Sequence, residues 1–404
     1  MLLVLTIAQG VAGIAVATAA AVGPVAVAAV SGSAALGGAS TTSLVLGTAA
    51  SALVIARIAD RAGRRPALML GYLTGAAGAG LAAIGNATGS WPLMLFAFLA
   101  FGAGNAAGLA ARFAATDLAA PHRRAHAVGV VMWATTLGAV AGPALAVPAA
   151  HGSPWAPAAG VLLLGAVTFG LAALVVGAGL RPDPLLLARK QLPGAGVVAA
   201  VRRSPSWRML WTTPRARVGM IGLALAQLLM VGLMSMTPVH LHHDGASFTL
   251  IGLVVSVHMA GMFAMAPAFG WLADRTGPLL VLAAGLLLIA VAGGTATAAA
   301  HGTSVPLAGA LALLGLGWSA ALVAGSSLVT EAAPPEQRPA VQGVVDAIMS
   351  LSGAAGGVAA GLILTVTSYA ALGGTVAVLT LPVLVLVVAV ARNARPHRHR
   401  GGST

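Results

Sequence analysis

Long apolar runs alternate with short polar breaks along this chain, and no run shows the strict alternation over about ten residues that a membrane barrel strand requires. Twelve runs stand out, near residues 3–30, 41–58, 66–87, 92–115, 126–149, 157–179, 217–239, 248–272, 278–299, 305–330, 341–365 and 371–391. Each can cross a hydrocarbon core of about 30 Å as a helix rising 1.5 Å per residue. Helices are the expected form because they satisfy their own backbone donors and acceptors where water is absent. The first run has no basic leading segment and stays apolar well beyond a signal peptide, so it is expected to be a retained helix. The pattern predicts an all-α integral membrane protein with twelve transmembrane helices.

Composition agrees with the pattern. Among the 404 residues 59% are hydrophobic and 7% charged, with a mean hydropathy of +0.96, against about 25% charge in soluble chains. This excludes a nucleic-acid-binding protein and a water-soluble enzyme, and no phosphate loop, nucleotide fold or catalytic triad is evident. With no cysteine, disulfide and thiolate chemistry are absent as well.

The charge of +13 has a direction. With the N-terminus inside, every Lys and Arg falls in an inner loop, in the central linker or in the tail. That asymmetry predicts a multi-pass protein of the plasma (inner) membrane with both termini cytoplasmic, its basic residues beside the anionic lipids of the bilayer. The chain also repeats itself. Asp60 and Asp274, Gly63 and Gly277, Arg124 and Arg338, Gly129 and Gly343, and Gly142 and Gly356 are each 214 residues apart. A half-chain repeat implies two pseudo-symmetric six-helix bundles, expected over residues 1–179 and 217–391. A cytoplasmic linker (180–216) and a basic tail (392–404) complete the chain. The linker reads as a surface connection, with short amphipathic pieces around Trp207 to Trp211 or only ordered turns there.

Between the second and third runs stands Ala56-Arg57-Ile58-Ala59-Asp60-Arg61-Ala62-Gly63-Arg64-Arg65, and between the eighth and ninth Gly270-Trp271-Leu272-Ala273-Asp274-Arg275-Thr276-Gly277. Each glycine suits a tight reversal. Each aspartate can meet a positive helix N-terminus, and arginine can pair across a bundle interface. The plain alternative is a basic loop that only fixes topology. The two segments resemble the cytoplasmic loop motif of the major facilitator superfamily, G-x-L-x-D-R-x-G-R-R, and the resemblance covers essentially the whole chain. It implies that Asp60 lies near the start of span eleven and Arg64 near Asp117 at the inner end of span four, joining the halves while the cavity faces outward. Ala56 replaces the motif's first glycine. Pro278 and Leu279 replace its arginine pair in the second copy, so the first-half lock is expected to be the stronger.

Span five carries Gly129, Gly138, Gly142 and Pro143 in a G-x8-G-x3-G-P spacing that resembles the motif of the drug:proton antiporter branch. Pro143 can bend the helix, shaping a hinge or a seal against span eight; ordinary small-residue packing is the alternative. The arginine that the family carries in the middle of span four is missing, since Gly104 occupies its position. Arg112, two turns nearer the cytoplasm, is expected to snorkel or to pair with Asp117.

Few ionisable groups lie within the spans. Asp346 is roughly 10 Å of helix rise from the inner end of span eleven, where an ionised carboxylate is costly unless paired, hydrated or protonated. It is a candidate proton carrier, or else a static partner of an inner donor. His258, near the middle of span eight, can take up a proton or orient a substrate, or merely tie two helices together. His240, His242, His243 and Asp244 read as exposed residues of an outer loop before they read as zinc ligands, and Arg395 to Arg400 as a lipid-facing basic end. No metal and no cofactor are expected, only protons as the coupling ion.

Asn105, Gln227, Met230, Met234 and Met262 are candidate lining of a substrate cavity, because flexible thioethers accommodate several apolar shapes. With no acidic dyad or multi-arginine clamp within the spans, the expected substrate is a lipophilic or weakly cationic small molecule. The resemblance implies export of such a molecule by proton antiport and alternating access, as a functional monomer. An importer or uniporter of a small metabolite, or a non-transporting membrane sensor, is the alternative.

Overall fold

The computed structural model describes residues 1–153, 156–190, 206–245, 248–300, 304–334 and 336–393. Fifteen α-helices are found there. The first six are α1 (Leu2–Ser31), α2 (Ala34–Ala62), α3 (Arg64–Ala87), α4 (Trp91–Ala114), α5 (Arg124–His151) and α6 (Pro157–Gly179). Two short helices, α7 (Pro184–Lys190) and α8 (Ser206–Thr212), lie in the linker. The second half holds α9 (Pro214–His243), α10 (Phe248–Phe263), α11 (Ala266–Thr276), α12 (Pro278–Ala299), α13 (Ser304–Ala332), α14 (Arg338–Val366) and α15 (Tyr369–Asn393). Since α10 and α11 are two pieces of one crossing, 12 spans are long and apolar enough to cross a membrane. They form two pseudo-symmetric six-helix halves.

The span from 248 is not the single helix that its apolar pattern predicts. It breaks at Ala264–Met265, just before Pro267 in the first turn of α11; proline has no N–H to donate and its ring crowds the preceding turn. α9 in turn runs to His243, so His240 is helical where a loop was expected. Its ring stacks on Tyr369 at 4.2 Å between centroids, and its Nε2 lies 3.4 Å from Asp244.

Each half buries its own apolar cluster, and at one end of the molecule each cluster borrows from the other half. Ala347 of α14 packs into the first-half core, while Ala125, Val128 and Met132 of α5 pack into the second-half core. This end carries Met1, the end of α15 at Asn393 and the loops rich in arginine, and we call it the basic face. Its two turns, α2 to α3 and α11 to α12, pass through Gly63 and Gly277 at φ of 97° and 96°, a region that favours glycine over any residue bearing a Cβ.

The halves meet there through α2 against α14 and α5 against α11. A Cβ on Gly343 would collide with Ala56, and one on Gly129 with the Ala266 carbonyl, so the backbones approach as only small residues permit. Further along, the same stripes open out. On α14, Leu351, Val358 and Leu362 are 48%, 67% and 62% exposed, and on α5 Leu137 and Val140 are 54% and 72% exposed. The molecule is closed at the basic face and diverges beyond it.

Candidate functional site: a charged junction between the halves

Two buried ion pairs form the centre of the closed end. Arg64, at the start of α3, donates from Nε to Asp117 Oδ2 at 2.8 Å and from Nη2 to Oδ1 at 3.3 Å. Its Nη2 also donates across the interface to Gln342 Oε1 of α14 at 2.5 Å, and Gln342 in turn donates to Thr330 at 3.2 Å. Arg64 and Asp117 thus stand together, and the tie to the other half runs through Gln342.

One layer deeper, Arg112 is fully buried, and sequence reasoning misplaced it. It neither snorkels nor pairs with Asp117, whose carboxylate Arg64 already occupies. Its Nη2 donates to Asp346 Oδ1 at 2.5 Å, its Nε to Ser326 Oγ at 3.1 Å and its Nη1 to the Leu109 carbonyl at 2.7 Å. The guanidinium also lies 4.4 Å from the Phe113 ring centroid. The arginine counted as missing from the middle of span four is therefore replaced by a buried one lower down. Ser326 is the residue 214 positions after Arg112, so the two face each other across the pseudo-two-fold axis. Asp346 is paired and dehydrated, with a side-chain exposure of 3%. Removing one partner of such a pair leaves a buried charge uncompensated.

The two motif loops act differently. Asp274 accepts the backbone N–H groups of Ala125 at 3.0 Å and His126 at 2.8 Å, capping the N-terminus of α5 in the opposite half as a carboxylate at a helix start should. Asp60 instead accepts from Arg189 Nη2 at 2.7 Å, and the same nitrogen reaches the Glu336 carbonyl beside the start of α14 at 3.1 Å. The linker also supplies Asp183, which accepts the Arg65 N–H at 2.7 Å, while Arg65 Nε donates to the Gly177 carbonyl at 2.9 Å. Arg61 is exposed. Arg275 stacks over Trp271 at 4.9 Å and stays within its own helix.

The glycines of α5 divide their work. Gly129 packs against Ala266 of α11, a contact not assigned to it from the sequence, whereas Gly138 and Gly142 pack on α1 around Gly13 and Ala17 within their own half. The helix continues through position 143, and the Pro143 side chain, like those of Trp207 and His242 and the whole of Arg395 to Arg400, lies outside the described residues.

The cavity candidates are spread over both halves. Asn105 donates to Thr48 at 3.2 Å, and Gln227 accepts from Trp318 Nε1 at 2.7 Å. Met230 and Met262 are buried in the second-half core, with Met234 partly buried against it. His258 makes a helix contact through Nδ1 to the Leu311 carbonyl at 2.8 Å, and its Nε2 has no hydrogen-bond partner among the described residues. Among the same residues no three His, Asp or Glu side chains are grouped to hold a metal ion.

Sequence reasoning missed Gln342, Ser326, Asp183 and Arg189. Two signals existed. Gln342 directly precedes the repeated Gly343, and Ser326 stands at the repeat offset from Arg112.

Two six-helix halves that touch at one face and part at the other have the form of a membrane carrier of small molecules. The comparisons with known proteins agree. A family profile described as Major Facilitator Superfamily matches residues 5–245 and 220–404. The chain is 36% identical over 345 residues to the uncharacterized MFS-type transporter YdeG of Bacillus subtilis (strain 168), covering 82% of this chain and 78% of that protein. It is 30% identical over 292 residues to the riboflavin transporter RfnT of Brucella anthropi, covering 71% and 69%. In fold it is similar to the human organic anion transporter MFSD10, with a TM-score of 0.77 at 20% identity over 96% of this chain and 98% of that one. The chain belongs to the Major Facilitator Superfamily.

Proposed function

We propose that this protein exports lipophilic or weakly cationic small molecules across the plasma membrane in exchange for protons, with Asp346 as the coupling carboxylate. The positive-inside rule makes the basic face cytoplasmic, so the arrangement described here is the outward-facing state with both termini inside. The buried Arg112–Asp346 pair carries the reading. A proton on Asp346 removes the ion pair that spans the halves, and the basic face is then free to part. Once it parts, the proton leaves to the cytoplasm and substrate enters from there. Reclosing with Asp346 ionised restores the pair, and the substrate is released outside. Each cycle moves a proton inward and a solute outward. His258 is assigned a supporting place on α10, holding Leu311 with one nitrogen and offering the other to a proton or a solute.

The relative named as a riboflavin transporter favours a second reading, the movement of one small metabolite. Both are tested with the full-length protein in vesicles under an imposed pH gradient, screening cationic dyes and riboflavin, with Asp346→Asn alongside. Antiport requires solute flux opposed to proton flux, and loss of gradient-driven flux with retained binding in Asp346→Asn. Solute moving with protons, or gradient-driven accumulation unchanged by Asp346→Asn, would overturn it.

A further inference from the structure

The two halves finish their basic corners differently. In the first half the niche between the inner ends of α1, α3 and α6 is filled from within. The Asp183 carboxylate sits against Gly63 and accepts the Arg65 N–H at 2.7 Å, Arg65 Nε holds the Gly177 carbonyl, and Met69 packs over Gly177. At the 214-residue offset, Arg65 becomes Leu279, Met69 becomes Ala283 and Gly177 becomes Ala391. The dipeptide Arg181-Pro182 recurs as Arg395-Pro396, but the position of Asp183 is taken by His397. The second half has lost the carboxylate, the guanidinium and the thioether together.

In their place is a cavity of about 400 Å³ between α9, α12 and α15, with Leu279, Ala283 and Val388 on its apolar wall and Arg215 and Arg392 at its mouth. Both arginines are exposed, and no carboxylate is among the lining residues. Among the described residues no acceptor is found for either guanidinium, nor for the Leu279 N–H in the first turn of α12. That N–H is the counterpart of the one that binds Asp183. The level is that of a lipid headgroup: half-exposed Trp271, beneath Arg275, marks the interface on the neighbouring α11 as aromatic belts do. Half-exposed Leu280 continues the apolar wall away from the basic face.

We propose that this cavity binds the phosphate of an anionic phospholipid, which takes the place that Asp183 fills in the other half, with an acyl chain lying along Leu280 and Val388. Two guanidinium groups and a helix-start N–H suit a phosphate oxygen cluster, and the adjoining apolar wall suits a lipid over a free anion.

The test is lipid retention by the full-length protein, measured by native mass spectrometry after incubation in mixed micelles of equimolar phosphatidylglycerol and phosphatidylcholine. The parent retains phosphatidylglycerol selectively. Removing a surface cation weakens anionic-lipid binding by about fivefold, so Arg215→Gln with Arg392→Gln reduces retention by roughly 25-fold. Ala283→Met restores the first-half thioether, keeps both arginines and also lowers retention by filling the space. Millimolar inorganic phosphate does not displace the lipid. Retention unchanged in both variants, or displacement by inorganic phosphate alone, would overturn the proposal.

Discussion

Consider the replacement Asp346→Asn and its effect on which face of the molecule is open. In the closed state the Arg112 and Asp346 side chains are 0% and 3% exposed, so the guanidinium loses its one charged partner and keeps only neutral ones, Ser326, the Leu109 carbonyl, the Phe113 ring and the new amide oxygen. Breaking a buried pair by removing one partner costs about 3–5 kcal/mol. Because asparagine still offers an oxygen, the lower figure applies. Water reaches the same arginine once the basic face parts, and the penalty therefore falls on the closed state alone. At a factor of ten per 1.4 kcal/mol, a cost of about 3 kcal/mol shifts the closed-to-open ratio by on the order of 100-fold.

The chain has no cysteine, and Ala52, 4% exposed on α2 opposite Gly343, is a site for one. In an Ala52→Cys reporter the maleimide labelling rate follows the open fraction, and it should rise by about that factor in Asp346→Asn. Adding Arg112→Gln removes the stranded charge and should bring the rate back to within about tenfold of the parent, the signature of coupled rather than independent sites. Equal labelling in all three backgrounds would refute the reasoning, as would a double variant that labels as fast as Asp346→Asn.

Three further outcomes follow from the same junction. Asp60→Asn deprives Arg189 of its charged partner and should lower transport several-fold at matched expression and membrane insertion; transport equal to the parent would remove the motif from the cycle. Arg64→Lys replaces a fork on Asp117 and Gln342 with a point charge, so labelling of the Ala52→Cys reporter should rise by about tenfold, and an unchanged rate would mean that the fork adds nothing. Gly343→Val drives a side chain into Ala56 and should open the basic face with every charge intact. A Gly343→Val protein that remains unreactive would show that close packing of α2 and α14 is dispensable.

Much of this architecture was legible in the sequence. Spans declare themselves because a helix in lipid must be apolar along its whole length, and the paired Asp60 and Asp274 exposed the repeat. The Arg64–Asp117 contact followed from the motif, whose residues keep their spacing. The partner of Arg112 did not, because it depends on the rotation of α4 about its own axis, which a uniformly apolar helix leaves unmarked. Asp183 and Arg189 were hidden for another reason. They act from a linker whose composition reports exposure but not docking, and only the packed structure brings Arg189 to both Asp60 and the Glu336 carbonyl. The break in span eight was signalled by Pro267 yet passed over, since the apolar run continues across it.

The meeting of Arg112 with Ser326 has a consequence for the ancestry and chemistry of such a molecule. A residue near a two-fold axis is brought against its own copy, so two identical subunits bearing this arginine would set guanidinium against guanidinium in a dry seam. Fusing the copies into one polypeptide frees the second position to become a hydroxyl. A lone cation then remains at the centre, and one acid, Asp346, suffices to neutralise it. Symmetry broken at this point leaves a structure built from duplicates with one buried charge pair on its axis instead of a matched couple.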